Sequence, residues 1–194
     1  MGAACTRGDP PHVSAVDSVE QIPPPPPQSI VVDAGAEEAP PVDPGTLPQT
    51  HDMPGPTGSV EQRAQALFEA IVKDDPDHAM PFFFPITAYR QTKAVTNPDA
   101  DWKHRLVKNY TRDIHALHEK LGSKAPQAVF IGLDVPTERA HWVDPGEEGN
   151  KTGYYRVYTA RLRYEVAGRS SAFDITSMIS WRGEWYVVHL SGFK

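Results

Sequence analysis

Asp174, His189, His118, Tyr110 and Tyr158 are the side chains whose types and spacing suit proton transfer in this 194-residue chain. Asp174 and His189 fall on adjacent C-terminal strands. His118, Tyr110 and Asp113 fall on one long amphipathic helix. A carboxyl and an imidazole inside apolar walls have their pKa values pushed apart by burial and by mutual charge, which suits acid/base work on an enolisable substrate. Alternation argues against Asp174: Phe173 and Ile175 face the core, so Asp174 points to solvent and to neighbouring arginines. A metal reading rests on Asp113, His115, His118 and Glu119. Two histidines at i, i+3 can reach one ion, yet zinc sites on helices favour i, i+4 and no third ligand is evident. We therefore expect no metal and no cofactor.

Phe82-Phe83-Phe84, bracketed by Pro81 and Pro85, is the other group with chemical weight. Three consecutive aromatics cannot share one side of a strand. At least one ring is expected to leave the core, lining a ligand pocket with Tyr110 or lying under a partner. Trp185 is expected to pack across the final hairpin. The acidic, glycine-rich loop Asp144–Asn150 lacks calcium-loop spacing and reads as an exposed hairpin loop.

The elements that must position these groups follow from hydrophobic period. Ser59-Val60-Glu61-Gln62 reads as a capping box, followed by Ala64, Leu67, Phe68, Ile71 and Val72 at helical spacing. Residues 77–100 read as a buried plug followed by an extended Ile86–Val95 stretch. A second helix begins near Asp99 or Asp101, with Trp102, Leu106, Val107, Tyr110, Ile114, Leu117 and Leu121 on its buried stripe, and stops at Gly122. The rest reads as strand: Ala128–Val135, Arg139–Val143, then the long Tyr154–Val166 and Ser171–Trp181, and Glu184–Ser191. On Tyr154–Val166 the even-numbered tyrosines face one way, while Arg156, Thr159, Arg161 and Arg163 are assigned to the other face. Long antiparallel strands twist, so the sheet is expected to curve around the long helix.

Composition divides the chain in two. Residues 1–58 hold 13 of the 20 prolines, none of the aromatics, one basic residue and eight acids. Such a segment cannot bury enough apolar surface to offset chain entropy, so we expect a disordered, extended tether ahead of one domain over 59–194. No apolar run is long enough to span a bilayer. One cysteine excludes an internal disulfide framework. A near-neutral domain on an acidic tail is poorly suited to nucleic acid. No Walker, Rossmann or nucleophile-elbow pattern occurs.

Two resemblances refine this. Gly2-Ala3-Ala4-Cys5 resembles the small-residue–Cys junction of bacterial lipoproteins, which implies lipidation at Cys5 and an extracytoplasmic, membrane-anchored location. It departs in having Gly2 where leucine is usual and in lacking the preceding signal segments. Read literally, Met1-Gly2 through Thr6 is a myristoylation pattern at Gly2 with Cys5 available for palmitoylation. Helix, plug, long helix and antiparallel strands, in that order over 59–194, resemble the nuclear transport factor 2-like, or cystatin-like, fold. That resemblance implies a cone-shaped pocket and an α+β domain, not an activity. The expectation is a tethered domain that binds a small ligand or a protein partner without turning it over. The alternatives are a cofactor-free isomerase or dehydratase, and a homodimerisation module.

Overall fold

The structure, a computed structural model, describes residues 50–55 and 57–192. Up to residue 49 the expected tether, and with it lipidation at Gly2 and Cys5, lies outside the described residues. The described chain is α+β: helices first, then a five-stranded antiparallel curved sheet.

Helix α1 spans Gly58–Lys73 and buries Val60, Ala64, Leu67, Phe68, Ala70 and Ile71, the stripe that the period requires. Its start differs from the expected capping box. Thr57 is the N-cap and makes no side-chain cap bond, while Ser59 Oγ donates to the Glu184 carboxylate, 2.9 and 3.0 Å from its oxygens. Arg63 reaches the same carboxylate at 2.6 Å. A half-buried charge acceptor across the fold outcompetes the local cap.

The phenylalanine plug corrects the expectation of an outward ring. Pro76–Phe82 is a 3₁₀ turn and Phe83 is extended, so successive side chains leave in different directions. All three find cover, at 0%, 1% and 1% exposure. Phe83 stacks on Tyr110 at 4.5 Å, Phe84 meets Trp181 and Tyr186 edge-on at 6.2 and 6.1 Å, and Phe82 lies under the Arg63 guanidinium. Aromatic pairs at these separations contribute about 0.5–1.5 kcal/mol each beyond area burial.

Ile86–Val95, expected to be extended, is instead helix α2 over Ile86–Thr92 followed by a short bridge at Lys93. Pro85 precedes it with φ −71°, and Ala88, Tyr89 and Thr92 lie buried at helical spacing. The long helix is one rod: Pro98–Asp101, a π-helical turn Trp102–Val107, then Lys108–Leu121. Leu106, Tyr110, Ile114, Leu117 and Leu121 are buried, whereas Trp102 and Val107 are half-buried. Gly122 ends it at φ 54°, ψ −136°, a positive-φ conformation other than the left-handed helical one.

The strands are β1 Val129–Asp134, β2 His141–Val143, β3 Tyr154–Val166, β4 Arg169–Trp181 and β5 Glu184–His189. The order is β1-β3-β4-β5, with β2 also paired to β3. Ala167-Gly168 and Arg182-Gly183 close the two hairpins with positive φ at both positions, the turn whose twist matches right-twisted strands. Thr159, a β-branched residue at φ 61°, interrupts β3, so that Val157 and Ala160 are both buried. Trp185, expected across the hairpin, pairs with Ser180 and donates its indole N–H to the Pro54 carbonyl at 3.1 Å. Packing thus extends upstream of Ser59, since Pro54 is buried and the His51 ring lies 3.7 Å from that of Trp142. Among the described residues no helix is long and apolar enough to cross a membrane.

Candidate functional site

A cavity of about 290 Å³ opens between α2, the long helix and strands β3–β5. Helix α2 turns Tyr89 inward, and the bridge after it places Lys93. The π-helical turn, a form concentrated at functional sites, presents Arg105 and Leu106. Tyr154, Arg156 and Tyr158 project from β3 at period two, Ser177 and Ile179 from β4, Val188 and His189 from β5. Glu148 enters from the Asp144–Asn150 loop. Leu106, Ile179 and Val188 make the apolar part of the wall.

The polar part is densely connected. Lys93 Nζ donates to Asn150 Oδ1 at 2.6 Å, to the Tyr154 hydroxyl at 3.0 Å and to the Glu148 carbonyl at 3.4 Å. The Tyr154 hydroxyl, which has one proton to give, lies 3.1 Å from Glu148 Oε2 and 3.0 Å from Asn150 Oδ1. Arg105 holds Asp101 through Nε and Nη2 at 2.8 and 2.6 Å. Tyr89 donates to the same carboxylate and accepts from Arg105 at 3.2 Å. Arg156 pairs with Glu148 and donates to His141 Nε2 at 2.6 Å. Ser177 Oγ and His189 Nδ1 share a hydrogen bond at 2.8 Å.

These surroundings shift the titrations. Burial, then repulsion from Arg105 and Arg156, brings Lys93 down to about 8. Burial, with Arg105 and Lys93, pushes His189 below the usual histidine range against a smaller opposing pull from Asp113. Burial and Asp101 raise Tyr89 to about 12, and burial raises Tyr154 to about 12. The hydrogen bond from Arg105 holds Asp101 below the usual carboxylate range. The site therefore disfavours further positive charge and resists making tyrosinate.

Of the residues singled out from sequence, the cavity unites His189 and Tyr158. The others lie elsewhere. Asp174 is an exposed partner of Arg161 at 3.6 Å, where the alternation puts it. His118 Nδ1 engages the Ile71 carbonyl at 2.9 Å, joining the long helix to α1. His115 turns instead to Asp74 at 2.6 Å. Tyr110 is 1% exposed and donates to the Ala79 carbonyl at 3.2 Å; burial drives its pKa far upward. Neither it nor Phe82, Phe83 or Phe84 lines the cavity, because the plug consumes all four in aromatic packing. Among the described residues no group of three histidine, cysteine or carboxylate side chains is placed to hold a metal ion.

Sequence reasoning missed Lys93, Arg105, Arg156, Glu148, Tyr89 and Tyr154 as site residues. Arg156 had a readable signal, since an even-numbered position on β3 shares a face with Tyr154 and Tyr158; its assignment to the opposite face is corrected. Lys93 and Arg105 carried no such signal. No protein-family model, curated protein or solved structure matches this chain.

Proposed function

We propose that this is a small-molecule-binding domain of the nuclear transport factor 2-like type, holding a part-apolar organic ligand in the cavity without covalent turnover. The observation that carries this reading is the cavity itself: a concave site with one apolar wall and convergent polar groups, the usual form of a ligand site. At about 30 Å³ per water-sized group it has room for about ten non-hydrogen atoms. The acidic, proline-rich segment before residue 50 would act as the tether, anchored through a lipid at Cys5.

A fragment survey by protein-observed NMR on the full chain tests the reading. Neutral and charged fragments of about ten non-hydrogen atoms should shift the resonances of Leu106, Ile179 and Val188, and Val188→Trp, which fills the cavity, should abolish the shifts. Absence of any such shift at millimolar concentrations, or binding that survives Val188→Trp, would overturn it.

One observation favours a second reading, acid/base catalysis. His189 is half-buried, held by Ser177 and shares the cavity with Tyr158, an arrangement able to move a proton on a bound carbonyl compound. Turnover of a bound fragment that disappears in His189→Gln, with binding retained, would replace the first reading by this one.

A further inference from the structure

We propose that the ligand is an organic monocarboxylate, seated with its anionic end on Arg105 and Arg156 beside the Lys93 ammonium, and that its binding takes up a proton from solvent. This rests on the binding reading above and names the ligand class for the same cavity.

The charge arrangement leads to the class. Three cationic side chains line the cavity, and the single carboxylate among the lining residues, Glu148, is already paired with Arg156 and bonded to Tyr154. Asp101, behind Arg105, is held by that arginine and by Tyr89. Setting two carboxylates against three cations leaves one positive charge, with His189 uncharged. Asp113, the other carboxylate acting on His189, is paired with Arg112 at 3.1 Å. One anionic charge balances the site, whereas a dianion such as a phosphate monoester leaves one negative charge in excess. The apolar wall of Leu106, Ile179 and Val188 asks for a hydrocarbon body on that carboxylate.

The donors point the same way. Arg105 spends Nε and Nη2 on Asp101 and keeps Nη1 for another acceptor. Arg156, which lines the cavity, has a buried Nε with no hydrogen-bond partner among the described residues. An unmet buried donor at a site, beside a second guanidinium with nitrogen to spare, calls for an acceptor ligand. Lys93 faces Arg105 on the long helix, Arg156, Tyr154 and Tyr158 on β3, Glu148 and Asn150 on the loop, and His189 on β5. Repulsion within this group is relieved when a carboxylate enters, so Lys93 holds its proton more tightly with ligand than without. Linkage then makes affinity rise as pH falls through about 8 and level off below it.

Isothermal titration of the full chain tests this, with phenylacetate and its neutral isostere phenylacetamide as probes, in two buffers of different ionisation enthalpy. Phenylacetate should bind at least about tenfold more tightly than the amide, as expected when a charged hydrogen-bond partner is lost. It should take up about half a proton at pH 8 and little at pH 7. Lys93→Arg, permanently charged, should keep the binding and lose the pH dependence near 8, and Arg105→Gln should weaken phenylacetate about ten- to hundredfold while sparing the amide. Equal affinity for acid and amide, no proton uptake at pH 8, or wild-type phenylacetate affinity in Arg105→Gln would each overturn the proposal. If neutral fragments occupy the cavity and phenylacetate does not, the ligand class fails while the binding reading stands; if nothing occupies it, both fail.

Discussion

The aromatic plug and the polar cavity are neighbouring regions between the helices and the sheet, and they solve opposite problems. The plug gathers Phe82, Phe83, Phe84 and Tyr110 with almost no exposure, each ring covered by aromatic or cationic neighbours. The cavity, bounded by Tyr89, Lys93, Arg105 and Arg156, leaves open space of ligand size. Long charged side chains cannot be packed away as rings can, because each must keep a partner or water. Placing them around a concave surface therefore keeps that surface open. The difference teaches that close packing and open polar space are separately distributed here, even though residues four apart in sequence, such as Leu106 and Tyr110, serve one each.

Variants can break or sharpen that contrast. Phe83→Ala should cost about 3–5 kcal/mol in urea denaturation, since it removes a ring stacked on Tyr110 and near Trp102 and leaves a cavity. A cost below about 1 kcal/mol would mean that the plug is not the core we describe. Tyr154→Phe, on the cavity side, should cost about 1–3 kcal/mol by stripping Lys93 and Asn150 of a shared partner. Its stability loss should stay below that of Phe83→Ala, and an equal loss would erase the distinction between the two regions. Tyr110→Phe keeps the stack and removes one buried bond to Ala79, for about 1 kcal/mol. Asp174→Asn, outside both regions, should change stability by less than about 0.5 kcal/mol, because its pair with Arg161 is exposed.

Acid should distinguish the regions too. Asp101 has a folded pKa depressed by Arg105, so its contribution is present above the ordinary aspartate range and is lost as pH falls through the folded value. In a pH titration followed by NMR, resonances around Tyr89 and Arg105 should move in that acidic window while those of Phe83 and Tyr110 stay fixed. Simultaneous movement of both groups would point to global unfolding instead.

Much of the fold was legible because hydrophobic period is a local property. The stripe on α1 and the run from Leu106 to Leu121 follow from spacing alone, and so do the two long hairpin strands with their glycine turns. The failures have physical reasons as well. Ile86–Thr92 carries a weak pattern that is helical only once Tyr89 has somewhere to bury its ring. Ser59 had the residue type for a cap, but Glu184, 125 positions away, offered a stronger partner. The phenylalanine triplet misled because the chain leaves a 3₁₀ turn at Phe82 and becomes extended at Phe83, which sends successive rings into different parts of the core. Within the site, His189 and Tyr158 were legible as titratable groups on strands, and Arg156 could have been read from parity. Lys93 and Arg105 could not.

The sequence by itself determined where the apolar stripes of α1 and the long helix lie and where glycines turn the two long hairpins. Those depend on neighbours one to four positions away. Only the tertiary structure decided which charges meet, because Lys93, Arg105, Arg156 and His189 come from four elements and their proximity is set by how a curved sheet packs against two helices. Electrostatic coupling depends on distance in space, and no spacing along the chain records it.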